Sequence, residues 1–162
     1  MRHPISRAPL ISQYFLEVVV YSGNTPEGVS FSPDRATIAW TSYPEGTLWR
    51  SRLDGTERVQ LTQGPSIARF PHWSPDGSAI VFTAAHPGSD WQLYTVPARG
   101  GAINPLLQGS TGQGVATWSV DGKALAFGDL INMGETQALP SAIELYRLGG
   151  QKATTVPGSI GL

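Results

Sequence analysis

Residues 31–40, FSPDRATIAW, set a short polar stretch in front of an alternating apolar run that ends in Trp40. The same phrase returns as WSPDGSAIVF at 73–82 and as WSVDGKALAF at 118–127. In the later copies Ile80 and Phe82, and Leu125 and Phe127, alternate with smaller residues, and Trp40 takes the place of Phe82 and Phe127. A period of two is that of a strand with one covered face. A second phrase follows each first one: LWRSRLDG at 48–55, LYTVPARGG at 93–101 and LYRLGG at 145–150. No segment sustains a 3.6-residue apolar period, so no helix is predicted.

Spacing turns these phrases into an architecture. Phe31, Trp73 and Trp118 stand 42 and then 45 residues apart; Leu48, Leu93 and Leu145 stand 45 and then 52 apart. The longer last interval accommodates one insertion, INMGETQALP at 131–140. In the second unit, strands are predicted at about 69–74, 77–84, 90–96 and 103–108. Four short strands in a unit of this length is the period of a β-propeller blade.

Pro-Asp-Gly, complete in the second copy, is turn chemistry. Pro75 presets φ, Asp76 can bond nearby amides, and Gly77 accepts positive φ. Pro33 and Asp34, and Asp121 and Gly122, hold the equivalent places. Arg35 stands where Gly77 and Gly122 stand, so that turn either changes geometry or carries strain of ~1 kcal/mol or more. Val120 replaces the proline in the third copy. Phe31, Trp73 and Trp118 end the inner strands, where they can wedge against a neighbouring blade.

The predicted fold is all-β, a partial β-propeller of about three four-stranded antiparallel blades plus one extra N-terminal strand. Residues 1–24 form an N-terminal segment whose strand, 14–20 (YFLEVVV), belongs to a preceding blade. Blades follow at 25–64, 65–109 and 110–158, with a tail at 159–162. Propellers have four to eight blades, so three imply a piece of a larger ring or a half-ring that pairs with another copy. Open blade edges of that kind favour self-association.

Composition narrows the function. The 162 residues carry a formal net charge of -1 with 14% charged residues, which provides no basic field for direct nucleic-acid contact. There are no cysteines, which rules out disulfides and thiolate metal sites. The residues after Met1 lack an uninterrupted apolar core and a small-residue cleavage site, so no signal peptide is predicted. No stretch reaches the ~18–20 apolar residues of a membrane span; the segment reads as soluble and without membrane contact, in a compartment that the residues leave unknown.

Candidate chemistry is sparse. Ser159, in PGSIG, falls short of a nucleophile elbow because Pro157 holds the first glycine position. GSTGQG at 109–114 lacks the lysine of a phosphate loop and reads as a connection between blades. His3, His72 and His86 match no zinc spacing. Asp34, Asp76 and Asp121 recur at equivalent places, which argues for turn structure over catalysis. Arg50, Arg52 and Arg58 cluster in the first blade and suit an acidic partner or a phosphate, although a solvated strand face explains Arg50 and Arg52 more simply. Trp49 and Trp91 suit packing better than an exposed contact. Arg69, His72 and the 109–114 run are the surface candidates. No catalytic residue, metal ligand or cofactor site is predicted.

FSPD at 31–34, WSPDG at 73–77 and WSVDG at 118–122, each followed by its LWR, LYT or LYR strand, resemble the repeats of the TolB-like, WD-like β-propeller family over about residues 25–158. The segments EGVSFSPD, SYPEGTLWRSRLDGTERVQLT, LAFGDL and VPGSIGL look most like the propeller half of bacterial regulators that carry an N-terminal winged-helix DNA-binding domain and a membrane segment. The resemblance implies a non-enzymatic binding or scaffold module that docks a protein or peptide or senses a ligand, in a parent protein that is membrane-anchored or periplasmic. Alternatives are an accessory propeller of a serine peptidase that gates substrate entry, or a truncated product with no independent role.

Overall fold

The structure, a computed structural model, describes residues 25–107, 112–129 and 142–161. These contain twelve strands and no helix. The first sheet holds β1 (Thr25–Phe31), β2 (Thr37–Tyr43), β3 (Leu48–Arg52) and β4 (Val59–Gln60). The second holds β5 (Ile67–Trp73), β6 (Ala79–Ala85), β7 (Gln92–Pro97) and β8 (Asn104–Pro105). The third holds β9 (Gln113–Trp118), β10 (Ala124–Asp129), β11 (Glu144–Arg147) and β12 (Ala153–Thr155). Each sheet is an antiparallel meander in chain order. The expected strand 14–20 and the insertion 131–140 lie outside the described residues, as do residues 109–111 of the glycine-rich connection. Gln113 and Gly114, the end of that connection, already belong to β9.

Two apolar cores lie between the three sheets. One gathers Ala39, Leu48 and Leu61 of the first unit with Ile80, Phe82, Ala84 and Val96 of the second. The other joins Val81, Leu93 and Leu107 to Ala116, Leu125, Phe127 and Tyr146. The second sheet is therefore covered on both faces, where alternation in the sequence predicts one. Ile80 and Phe82 look toward the first sheet, while Val81 and Leu93 look toward the third. This explains why AIVFTAA of β6 reads as an almost unbroken apolar run, with five successive buried positions. The outermost strands β4 and β8 are the shortest, two residues each. In β8, Pro105 has no N–H to extend a ladder.

Register corrects one part of the repeat. Ile38 faces Ser51 across its hairpin, Ile80 faces Val96, and Leu125 faces Tyr146. The third-unit equivalent of Leu48 and Leu93 is thus Ile143 and not Leu145. The amide of Val156 donates to the Ile143 carbonyl (2.8 Å) as Leu61 does to Leu48 (2.8 Å) and Leu106 to Leu93 (2.9 Å). A two-residue offset leaves every side chain on its original face, so Leu-Tyr-Arg at 145–147 imitates Leu-Trp-Arg at 48–50 in pattern without sharing its position.

Candidate functional site

Three equivalent turns mark one end of the sheets, and each is organised by a serine ahead of the aspartate. Ser32, Ser74 and Ser119 donate through Oγ to Oδ1 of Asp34 (2.5 Å), Asp76 (2.6 Å) and Asp121 (2.6 Å). The same hydroxyls accept from the amides of Thr37 (3.0 Å), Ala79 (3.0 Å) and Ala124 (2.9 Å). Each aspartate Oδ1 also accepts the amide two residues on, from Ala36, Ser78 and Lys123, at 3.0 Å. The turn closes by a 2.9 Å bond from the amide of Arg35, Gly77 or Gly122 to the serine carbonyl. Arg35 adopts φ 59°, beside 71° at Gly77 and 69° at Gly122. The arginine copy therefore keeps the glycine geometry and carries its strain.

These bonds stabilise the ionised carboxylates. The serine hydroxyl first, then the backbone amide, holds Asp34 and Asp121 below the ordinary aspartate range and brings Asp76 to about 2. A folded pKa below the unfolded one contributes stability that is complete above about pH 3.8 and drains away as pH falls toward about 2. Urea melts across that interval are expected to show a shallower acid loss for Asp76→Asn than for the parent chain. Identical pH profiles would show that this carboxylate does not couple to folding.

The seams between sheets are stitched by polar contacts as well as by apolar packing. Trp73 Nε1 donates to the Ser30 carbonyl (3.1 Å), and Trp118 Nε1 to the His72 carbonyl (3.2 Å). The Ala68 amide donates to the Gly46 carbonyl (2.7 Å), and the Gln113 amide to that of Trp91 (3.0 Å). Arg69 pairs with Glu27 across the first seam and lies 6.0 Å from the Tyr43 ring centroid. Its charge is committed to joining two sheets. His72 is half-buried; because Trp73 packs toward the first sheet, strand alternation turns His72 toward the third. Burial lowers its pKa, which favours the neutral ring.

The arginines of the first unit separate onto two faces. Arg58 sits 4.3 Å from the Trp49 ring centroid and 4.8 Å from that of Trp40, and the two indoles stack with centroids 6.0 Å apart. This cation–π stack lies on the face turned away from the second sheet. Arg52 is exposed and 3.7 Å from Glu57. Arg50 instead looks into the first seam, on the same face as Leu48, so the solvated-face reading fails for it. There it lines a groove of about 330 Å³ with Ser32, Asp34, Trp73, Asp76 and Arg99. Its Nε is buried and has no hydrogen-bond partner. A groove of about 430 Å³ occupies the same place in the second seam, between the Asp76 and Asp121 turns, and holds no basic residue.

Thr62, Gln113 and Ser159 form a set that the repeat phrases do not reveal. All three are buried. Their side-chain oxygens accept the amides of Leu48 (2.8 Å), Leu93 (2.7 Å) and Ile143 (3.0 Å). Ser159 also donates to the Val156 carbonyl (2.7 Å), so its hydroxyl is occupied by backbone. The only property the three share is an acceptor oxygen, which no residue-type motif captures. Among the described residues no group of three or more His, Asp or Glu side chains converges as a metal cluster, and no helix is long and apolar enough to cross a membrane.

No family model matches the chain. It is 31% identical over 113 residues to an uncharacterized protein of Agrobacterium fabrum, covering 62% of this chain and 39% of that protein. It is 30% identical over 92 residues to the uncharacterized peptidase YuxL of Bacillus subtilis, covering 57% of this chain and 13% of the peptidase. With the Tol-Pal system protein TolB of Desulfotalea psychrophila it shares 27% identity over 113 residues, 68% of this chain and 25% of TolB. The chain thus spans well under half the length of these curated relatives. Among solved structures, a TolB-type protein of Agrobacterium tumefaciens superposes with a TM-score of 0.67 at 20% identity, covering 82% of this chain and 48% of that one. A chain of a nidogen/laminin complex superposes with a TM-score of 0.63 at 16% identity, covering 82% and 48%. Three radially stacked four-stranded sheets, superposable on these structures, give this chain the TolB-like β-propeller fold.

Proposed function

We propose that the chain is a non-enzymatic part of a larger β-propeller that docks a protein or peptide partner in a bacterial regulator. The observation that carries this is the seam. Both described joints repeat the same indole-to-carbonyl and amide-to-carbonyl bonds, and the recurring polar groups, the Ser–Asp turns and the Thr62–Gln113–Ser159 set, are used by the backbone. A frame braced in this way presents loops and grooves rigidly and leaves binding as its available chemistry. Resemblance to TolB and to a propeller found in a protein complex supports the reading by analogy of fold.

A second reading, an accessory propeller of a serine peptidase, is favoured by the likeness to YuxL. An adjoining coding segment for a hydrolase domain with its G-x-S-x-G elbow would select it, and one for a winged helix with a membrane span would select the regulator.

The mass of the 162-residue chain in solution tests the ring arithmetic. A defined dimer is expected if two partial rings close on one another. A polydisperse, concentration-dependent series would overturn the half-ring and leave a fragment that needs further blades.

A further inference from the structure

The two equivalent grooves at the aspartate turns share one frame and differ in charge. Each runs between consecutive turns and is walled by the seam tryptophan, Trp73 in the first and Trp118 in the second. In the first, the proline of one turn touches the next: a Cβ at Gly77 would lie 3.6 Å from Pro33 Cδ. The second repeats this, with Gly122 and Pro75 at 3.7 Å. Arg50 and Arg99 enter the first groove only. The strand position of Arg50 is filled by Thr95 in the second unit, since Arg50 faces Ala39 as Thr95 faces Val81.

Neither arginine side chain makes an ion pair or hydrogen bond among the described residues. The groove's own carboxylates do not serve them. Oδ1 of Asp34 and of Asp76 is taken up by serine and amide donors, and Ser78 Oγ reaches both oxygens of Asp76. A buried guanidinium Nε without an acceptor costs free energy unless something occupies the position beside it. The acceptor that matches a guanidinium edge in plane and charge is a carboxylate.

We propose that this first-seam groove binds a carboxylate side chain of an acidic peptide segment, with Arg50 and Arg99 as donors and the Trp73 ring as the apolar wall. The inference deepens the docking reading and rests on it: it assigns the partner's chemistry and the residues that meet it. A volume of about 330 Å³ suits one or two side chains of an extended segment and not a whole folded partner. The two aspartates beside the arginines reject a densely anionic ligand, so single spaced carboxylates are preferred over a polyphosphate.

The test titrates the 162-residue chain with a capped Glu-Ala-Glu-Ala peptide, with succinate and with a Lys-Ala-Lys-Ala control, following the arginine Nε–H resonances by NMR. The acidic peptide is expected to shift the Arg50 and Arg99 signals and saturate, and the basic peptide to leave them still. Arg50→Lys keeps the charge and removes Nε, and should weaken binding about tenfold or more. Arg99→Gln, at an exposed position, should weaken it as well. Thr95→Val, on the seam that lacks arginine, should change nothing. Saturation by succinate as tight as by the peptide would overturn the peptide assignment and leave a small-carboxylate site. Unchanged affinity in both arginine variants would overturn the groove itself. If Arg50→Lys/Arg99→Gln still binds the Glu-Ala-Glu-Ala peptide at parental affinity, peptide docking stands and occurs elsewhere, which overturns the groove; if the parent chain binds neither the acidic nor the basic peptide, the docking reading fails together with the groove.

Discussion

Trp73→Ala is expected to lower the stability of the chain by about 3–5 kcal/mol, the range for removing a large aromatic from a packed site. The ring packs against the core that Ala39, Leu48, Ile80 and Phe82 share between two sheets, and its Nε1 donates to the Ser30 carbonyl of the preceding sheet. Truncation therefore removes apolar burial, leaves a cavity at a seam and frees a carbonyl, three losses at one joint. Trp73→Phe separates them. It keeps most of the packing and loses the hydrogen bond, for about 1 kcal/mol. Trp118→Ala acts on the next seam, where the indole reaches the His72 carbonyl, and the two truncations should add because they lie in different joints. Urea denaturation measures all three, with an unchanged m-value as the condition for comparing them. A midpoint that does not move in Trp73→Ala would place the indole outside the packed seam and remove the physical basis for stacked sheets.

Much of this architecture was legible because it repeats. The Ser-x-Asp turns, the aromatic residues at the strand ends and the alternating runs behind them each appear three times, and repetition identifies a local structural need without any chemistry. What repetition does not reveal is contact between units. Arg50 and Arg52 look like a solvated pair because they alternate on a strand. Which face of a blade is covered is a property of its neighbours, so Arg50 meets the second sheet and Arg52 meets Glu57. Arg69 reads as a surface cation until Glu27, 42 residues earlier, is brought beside it. Thr62, Gln113 and Ser159 share one job with three different side chains, which hides them from any search by residue type. The serines at 32, 74 and 119 were visible in every copy of the phrase, yet turn preference alone draws attention to the proline, aspartate and glycine. Only the hydrogen bonds show that the hydroxyl connects the aspartate to the returning strand. The Leu-Tyr-Arg slip has the opposite cause: a real pattern match, displaced by two residues, keeps the same face and so produces no conflict that a sequence would betray.

Gly46→Ala is the second large effect, expected at about 2–5 kcal/mol from two additive causes. Gly46 has φ +66°, a left-handed conformation that costs a residue with a Cβ about 1–2 kcal/mol. A Cβ there would also fall 2.4 Å from Ile67 Cγ2 and 2.8 Å from Ile67 Cα, an overlap whose relief costs about 1–3 kcal/mol. The approach is tight because the backbones themselves bond: the Gly46 carbonyl accepts the Ala68 amide at 2.7 Å, joining the β2–β3 turn to β5. Gly77→Ala isolates the conformational part. Its φ is +71°, but the nearest atom to an added Cβ is Pro33 Cδ at an ordinary 3.6 Å, and Arg35 already occupies the equivalent place with φ 59°. That substitution should cost about 1 kcal/mol. The difference between the two alanine variants is then the contact term at the seam. Adding Ile67→Ala to Gly46→Ala removes the clash with Cγ2 but not the one with Cα, so recovery should be partial. Equal losses for Gly46→Ala and Gly77→Ala would mean that the first two sheets do not meet backbone to backbone at Gly46.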